Sequence, residues 1–134
     1  MYSDFDTFLI YINMNLTRRI ASFRYAFAGL ADLFRTQTNA RIHLIATACV
    51  LAAGWYFEVS RQEWLVLVLV ITGVIAMEAV NTAIEYLTDL VSPQMHPLAG
   101  KAKDAAAGAV LVMAIGAVLA GLLVFGPKVS AVWS

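Results

Sequence analysis

The run Met77-Glu78-Ala-Val-Asn81-Thr-Ala-Ile-Glu85-Tyr-Leu-Thr-Asp89 sets three carboxylates and an amide into an otherwise apolar stretch of chain. At about 100° of helical rotation per residue, Glu78, Asn81, Glu85 and Asp89 fall within a sector of roughly 80°, so a helix would gather them into one polar stripe. An ionisable side chain in a membrane helix costs about 2.5–3.5 kcal/mol on insertion scales, which makes a function the default expectation. One carboxylate of such a stripe can take the proton of an attacking hydroxyl, and another can hold magnesium. A proton relay and helix-packing glue are competing uses of the same residues.

A second cluster, Gly100-Lys-Ala-Lys-Asp104, brings two ammonium groups and a carboxylate to an expected helix start. Helix N-termini and lysines both attract phosphate, although Lys beside a membrane boundary also serves as a topology determinant. Together the stripe and the cluster supply the parts of phosphoryl transfer: a base, a metal-binding carboxylate and a cation for the transferred charge. The chain has no G-x-x-x-x-G-K-[ST] loop and no strand-borne Gly-rich loop with kinase motifs, so phosphate binding cannot come from the soluble ATP-binding folds.

The elements that must position these residues are set by hydropathy. Hydrophobic residues make up 61% of the 134 and charged residues only 13%, a composition selected for lipid rather than water. Basic and acidic residues balance at nine each, which gives no reason to expect nucleic acid as a partner. Three stretches, residues 40–57, 64–88 and 105–125, read as long and apolar enough to cross a bilayer, which takes roughly 20 helical residues for a hydrocarbon core about 30 Å thick. Residues 16–36 alternate Arg18, Arg19 and Arg24 with Ile20, Phe23, Tyr25, Phe27 and Leu30, as an amphipathic helix on a membrane surface does. Residues 1–15 read as a terminal extension without the basic start and small-residue cleavage site of a signal peptide. The connections Glu58-Val-Ser-Arg-Gln-Glu63 and Ser92-Pro-Gln-Met-His-Pro97 read as turns between antiparallel helices. Cys49 has no partner for an intrachain bridge and reads as a buried small hydrophobe.

Arg18, Arg19, Arg24, Arg35 and Arg41 before the first span, and Lys101 and Lys103 before the third, place those ends on the cytoplasmic side. The opposite side has only Arg61 and Lys128, with Trp55, Tyr56, Trp64 and Phe125 where aromatic side chains anchor at an interface. The third span carries small-xxx-small pairs (Ala105/Ala109, Gly116/Ala120, Ala117/Gly121) that permit close helix contact. Three spans enclose little volume, so self-association is expected. The fold class is therefore all-α and integral to a membrane, one domain over residues 1–134, with a surface helix and three transmembrane helices.

The motifs Glu78-x-x-Asn81-x-Ala-Ile-Glu85 followed by Asp89, His96-x-Leu98 and Ala102-Lys103-Asp104-x-x-x-Gly108-Ala109-Val110-Leu111 carry a resemblance. Over roughly residues 18–125 the sequence resembles the small prokaryotic integral-membrane lipid kinases, the diacylglycerol kinases and undecaprenol kinases. The resemblance implies a homotrimeric bundle in a bacterial cytoplasmic membrane, with sites shared between neighbouring chains and facing the cytoplasm. It implies Glu78 as general base, oriented by Asn81, with Glu85 as a magnesium ligand. It implies ATP contacts from Arg18, Tyr25, Gln37, Glu85, Gln94, Met95, His96, Lys103 and Asp104, and lipid-substrate contacts from Arg18 and Glu78. One position departs: where familiar members carry a second acidic metal ligand, this chain has Gln37, whose amide oxygen can coordinate magnesium without adding charge. Asp32, five residues away on a helix, points elsewhere.

Asn39-Ala-Arg-Ile-His-Leu44 and Val91-Ser-Pro-Gln-Met-His-Pro-Leu98 look more like the undecaprenol kinase branch. The expected reaction is thus ATP- and magnesium-dependent phosphorylation of undecaprenol, with diacylglycerol as the alternative acceptor. A non-catalytic or proton-conducting membrane assembly is the reading from another class. Gln37 favours it, and the Lys103-Asp104 pair speaks against it, since transport needs no phosphate-binding group.

Overall fold

The computed structural model describes the backbone of residues 4–94 and 96–132, and the side chains of residues 18–94 and 96–132. The described chain is helical from end to end: α1 (Asp4–Thr36), α2 (Thr38–Tyr56), α3 (Arg61–Val91) and α4 (Pro97–Val132). The surface helix expected to start at residue 16 is part of the longer α1, which also takes in residues 4–15 of the terminal extension. No Gly or Pro occurs between residues 4 and 28, so nothing stops the helix from running through it.

α1 and α2 meet at a one-residue elbow. Gln37 is extended (φ −97°, ψ 117°) and stands at the N-cap of α2 without a capping bond from its side chain. The hydroxyl of Thr36 donates back to the Asp32 carbonyl at 2.9 Å, a local bond that competes with helix propagation. Leu33 and Ala40, one turn to either side, are fully or nearly fully buried, so the elbow is packed rather than loose. Tyr86 of α3 fastens it from outside. Its hydroxyl donates to Asp32 Oδ2 at 2.8 Å and lies 3.2 Å from Thr36 Oγ1.

α2 ends in a Schellman motif, with the Val59 N–H on the Gly54 carbonyl and the Glu58 N–H on the Trp55 carbonyl. The motif needs a left-handed residue, and Glu58 fills the place at φ 48° although it has a side chain. The polar loop expected over residues 58–63 is shorter than its composition suggests. Ser60 and Glu63 form a capping box, which draws Arg61 to Glu63 into the first turn of α3. Val59, Leu67 and Val124 form the buried cluster here, packed by Trp64, Phe57 and Phe125. Lys128 Nζ closes this end on Glu63 at 3.2 Å.

α4 packs chiefly along α3. It starts at Pro97, eight positions before the apolar stretch begins, because hydropathy marks where lipid starts and not where the helix starts. Pro97 suits a first helical position, and the Leu98 N–H donates to His96 Nδ1 at 3.2 Å as an N-cap bond. The helix also continues through Pro127 to Val132.

Close helix contact occurs at other glycines than those of α4. A Cβ on Gly54 would lie 2.6 Å from the Trp64 ring, and one on Gly73 would strike Met113 Cε. Gly108, Gly116 and Gly121 have no atom within 4 Å of such a Cβ, so the small face of α4 is unused within the chain. Cys49 is free and exposed on α2, not buried as its residue type suggests.

Two helices, α3 and α4, are long and apolar enough to cross a bilayer, with mean hydropathy of 2.1 and 2.6. Only 28% and 11% of those stretches is buried, so they are not the enclosed core helices of a water-soluble fold. Large apolar side chains such as Leu90, Leu123 and Trp55 stand about four-fifths exposed, a surface for lipid. The chain is an all-helical membrane protein. α2, with 19 residues that include Asn39, Arg41 and His43, falls short of the same measure.

Candidate active site

The polar stripe of α3 exists and is graded in depth. Glu78 is 2% exposed and Asn81 8%, Glu85 is half-buried, and Asp89 is exposed. One helical turn lets Asn81 Nδ2 donate to Glu85 Oε1 at 2.9 Å. Glu78 Oε1, Asn81 Oδ1 and Thr82 Oγ1 are buried without hydrogen-bond partners. Such orphans are costly and uncommon, and a carboxylate among them marks a place built to receive something.

A cavity of about 250 Å³ opens beside Glu78. α3 lines it with Glu78 and Asn81, α2 with Asn39 and His43, and α4 with apolar side chains alone. His43 Nε2 stands 3.3 Å from Glu78 Oε1, near enough for an ion pair but off the line that a hydrogen bond requires. Sequence reasoning assigned no role to Asn39 or His43. The signal was there: two polar residues four apart, hence on one helical face, at the entry to an apolar stretch.

A larger groove, about 480 Å³, lies where α3 ends and α4 begins. Asp89, Ser92, Gln94, His96 and Lys103 line it. Lys103 Nζ is paired with Asp89 Oδ1, and both side chains are well exposed, so the pair fixes geometry more than it stabilises the fold. The ammonium keeps two further N–H donors for an anion in the groove.

The structure thus brings Glu78, Asn81 and Glu85 together at one level and Gln94, His96 and Lys103 at another. Asp104 is exposed on α4 next to Lys103 in sequence and makes no side-chain bond among the described residues. Gln37 is half-buried at the elbow, its side chain bonded neither to Glu85 nor to any other described residue. Asp32 points to Tyr86, away from the stripe. Arg18 and Tyr25 are exposed on α1, Tyr25 with the Arg24 guanidinium 5.3 Å above its ring, and neither bonds to the α3 stripe. Met95 lies outside the described residues.

No group of three or more His, Cys, Asp or Glu side chains among the described residues could cage a metal ion. One half-buried carboxylate with an oxygen unused by Asn81 is nonetheless what a magnesium ion arriving on nucleotide phosphates requires. Such ions take one or two carboxylates and fill their remaining positions with phosphate and water.

Comparison with known proteins bears on both halves of the site. The profile of the family described as prokaryotic diacylglycerol kinase matches residues 24–125. An undecaprenol kinase of Bacillus subtilis is 44% identical over 113 residues, which cover 84% of this chain and 92% of that one. A diacylglycerol kinase of Synechocystis is 44% identical over 103 residues, 76% of this chain and 59% of its own length. A diacylglycerol kinase of Haemophilus influenzae is 30% identical over 119 residues, 87% of this chain and the whole of the relative. Because the matched region takes in the elbow, the buried carboxylate and the groove at the head of α4, the chain belongs to the prokaryotic diacylglycerol kinase family.

Proposed function

We propose that this lipid kinase transfers the γ-phosphate of ATP to the hydroxyl of undecaprenol, with Glu78 as the general base. The observation that carries the reading is the Glu78 carboxylate itself, 2% exposed, with one oxygen lacking a hydrogen-bond partner, on a residue that lines a cavity beside the lipid-facing helices. The high identity to an undecaprenol kinase over nearly all of both chains supports the polyprenol as acceptor.

Glu78 accepts the hydroxyl proton as the lipid oxygen bonds to the γ-phosphorus, and the bond from that phosphorus to the bridging oxygen breaks to release ADP. Asn81, bonded to Glu85, holds the stripe in register and lines the cavity beside Glu78. Lys103 meets phosphate charge in the groove, with Gln94, Met95, His96 and Asp104 as nucleotide contacts. Arg18 and Tyr25 join them from α1, and Arg18 also reaches the lipid. Glu85 and Gln37 would hold magnesium, which when bound neutralises charge on the transferred phosphate.

In this reading α2 is the third transmembrane helix and α1 lies on the cytoplasmic face of a bacterial membrane. The exposure of Ile20, Phe23 and Phe27 beside Arg18, Arg19 and Arg24 supports that position for α1. The open small-residue face of α4 and the lack of any bond from Arg18 or Tyr25 to the α3 stripe support a homotrimer in which each site is completed by a neighbour.

The test is transfer of labelled γ-phosphate from magnesium ATP to undecaprenol and to diacylglycerol, for wild type and Glu78→Gln in matched micelles. Transfer to undecaprenol that the substitution abolishes is the expected result. Preference for diacylglycerol would reassign the acceptor, and an active Glu78→Gln would remove Glu78 as base.

A further inference from the structure

Each phosphoryl transfer to a hydroxyl leaves one proton on the base, and the base must lose it before the next turnover. Glu78 has little direct contact with solvent through which to shed a proton, since its side chain is only 3% exposed. Along α3 the next polar group is Asn81, an amide that already donates to Glu85 and does not carry protons. α4 contributes only apolar side chains to the cavity, and Asp32 on α1 is engaged by Tyr86. Glu85, two turns along α3, is another carboxylate and is held by Asn81; among the described residues that line the cavity, His43 is the titratable group opposite Glu78, at 3.3 Å, and its side chain is 23% exposed.

We infer that His43 is a positioning residue that clears the base, taking the proton from Glu78 on Nε2 and releasing a proton to water. The inference rests on Glu78 being the base. The steps balance: the lipid hydroxyl gives its proton to Glu78, the Glu78 O–H bond breaks as the His43 N–H bond forms, and the imidazolium passes one proton to solvent. The carboxylate and the neutral ring are thereby restored. The 3.3 Å separation suits the role, because a small ring rotation shortens or lengthens the contact between transfers. Imidazole is the side chain whose ordinary titration lies nearest neutral pH, so it exchanges protons with both a carboxyl and water.

The experiment compares wild type, His43→Gln, His43→Ala and Glu78→Gln, each first shown to have the wild-type micellar size. His43→Gln is expected to lower kcat about 100-fold, the low end for a proton-transfer group, with KM for magnesium ATP and for the lipid held within about twofold of wild type. Added imidazole should restore His43→Ala saturably, and the rescue should grow with pH as the free-base fraction rises, which a purely structural role would not produce. Unchanged kcat in both His43 variants beside an inactive Glu78→Gln overturns the relay alone. So does a loss that imidazole fails to rescue. An active Glu78→Gln overturns the base and the relay with it.

Discussion

Removing the Tyr86 hydroxyl, as Tyr86→Phe, should release α1 from α3 without disturbing the apolar contacts of the ring. The lost bond runs to Asp32 Oδ2 at 2.8 Å. A hydrogen bond to an ionised acceptor is worth about 1.5–3 kcal/mol. Tyr86 and Asp32 are both exposed, and water competes for each partner, so about 1 kcal/mol remains. Thr36 loses little, because its hydroxyl keeps the bond to the Asp32 carbonyl. About 1 kcal/mol corresponds to roughly a fivefold shift in the docking equilibrium of α1. A double-mutant cycle with Asp32→Ala, read by equilibrium unfolding in mixed micelles, isolates the pair. Hydrogen exchange over residues 18–36 locates the change, which should stop at the elbow. If the two substitutions add within about 0.3 kcal/mol, the latch does not exist energetically and α1 is held by something else.

Gln37→Glu should lower the magnesium concentration for half-maximal activity by about tenfold, equivalent to about 1.4 kcal/mol; an unchanged magnesium titration would remove Gln37 from the metal site. Lys103→Gln should raise KM for ATP well above any change in KM for the lipid, and equal effects on both would place Lys103 outside the nucleotide groove. Glu58→Gly relieves a left-handed conformation costing about 1–2 kcal/mol against a glycine entropy penalty of about 0.5–1 kcal/mol. A rise in thermal midpoint with unchanged kcat is expected, and a fall would contradict the account of that turn.

The helical character and the stripe were legible because periodicity and local chemistry are written in consecutive residues. Glu78, Asn81 and Glu85 lie on one face by spacing alone, and the structure adds their depth. Helix ends were less legible. Apolar stretches mark contact with lipid, whereas α4 begins at a proline and a histidine cap in polar sequence, and α1 continues because nothing interrupts it. The capping box at Ser60 and Glu63 was readable from spacing, but its polar residues passed for a loop. Partners across helices, His43 with Glu78 and Tyr86 with Asp32, depend on rotation and register between elements, and no single helix encodes those. The empty face of α4 was signalled by composition, while the close contacts at Gly54 and Gly73 depend on which large side chain lies opposite.

The grading of the α3 stripe acts as a depth gauge. At 1.5 Å per residue, Glu78 is about 21 Å from Trp64, and Asp89 is about 16 Å farther along. If Trp64 marks one edge of a hydrocarbon layer about 30 Å thick, Glu78 sits about 9 Å inside the other edge and Asp89 about 7 Å beyond it. The two ends of the stripe then work in different solvents. A polyanionic nucleotide can keep most of its charge in water at the level of Asp89 and Lys103 and extend only its terminal phosphate inward. The lipid has to lift its hydroxyl no farther than the region just beneath the headgroups. On the proposed reading the terminal phosphate crosses the boundary between two immiscible phases, while the rest of each reactant stays in its own.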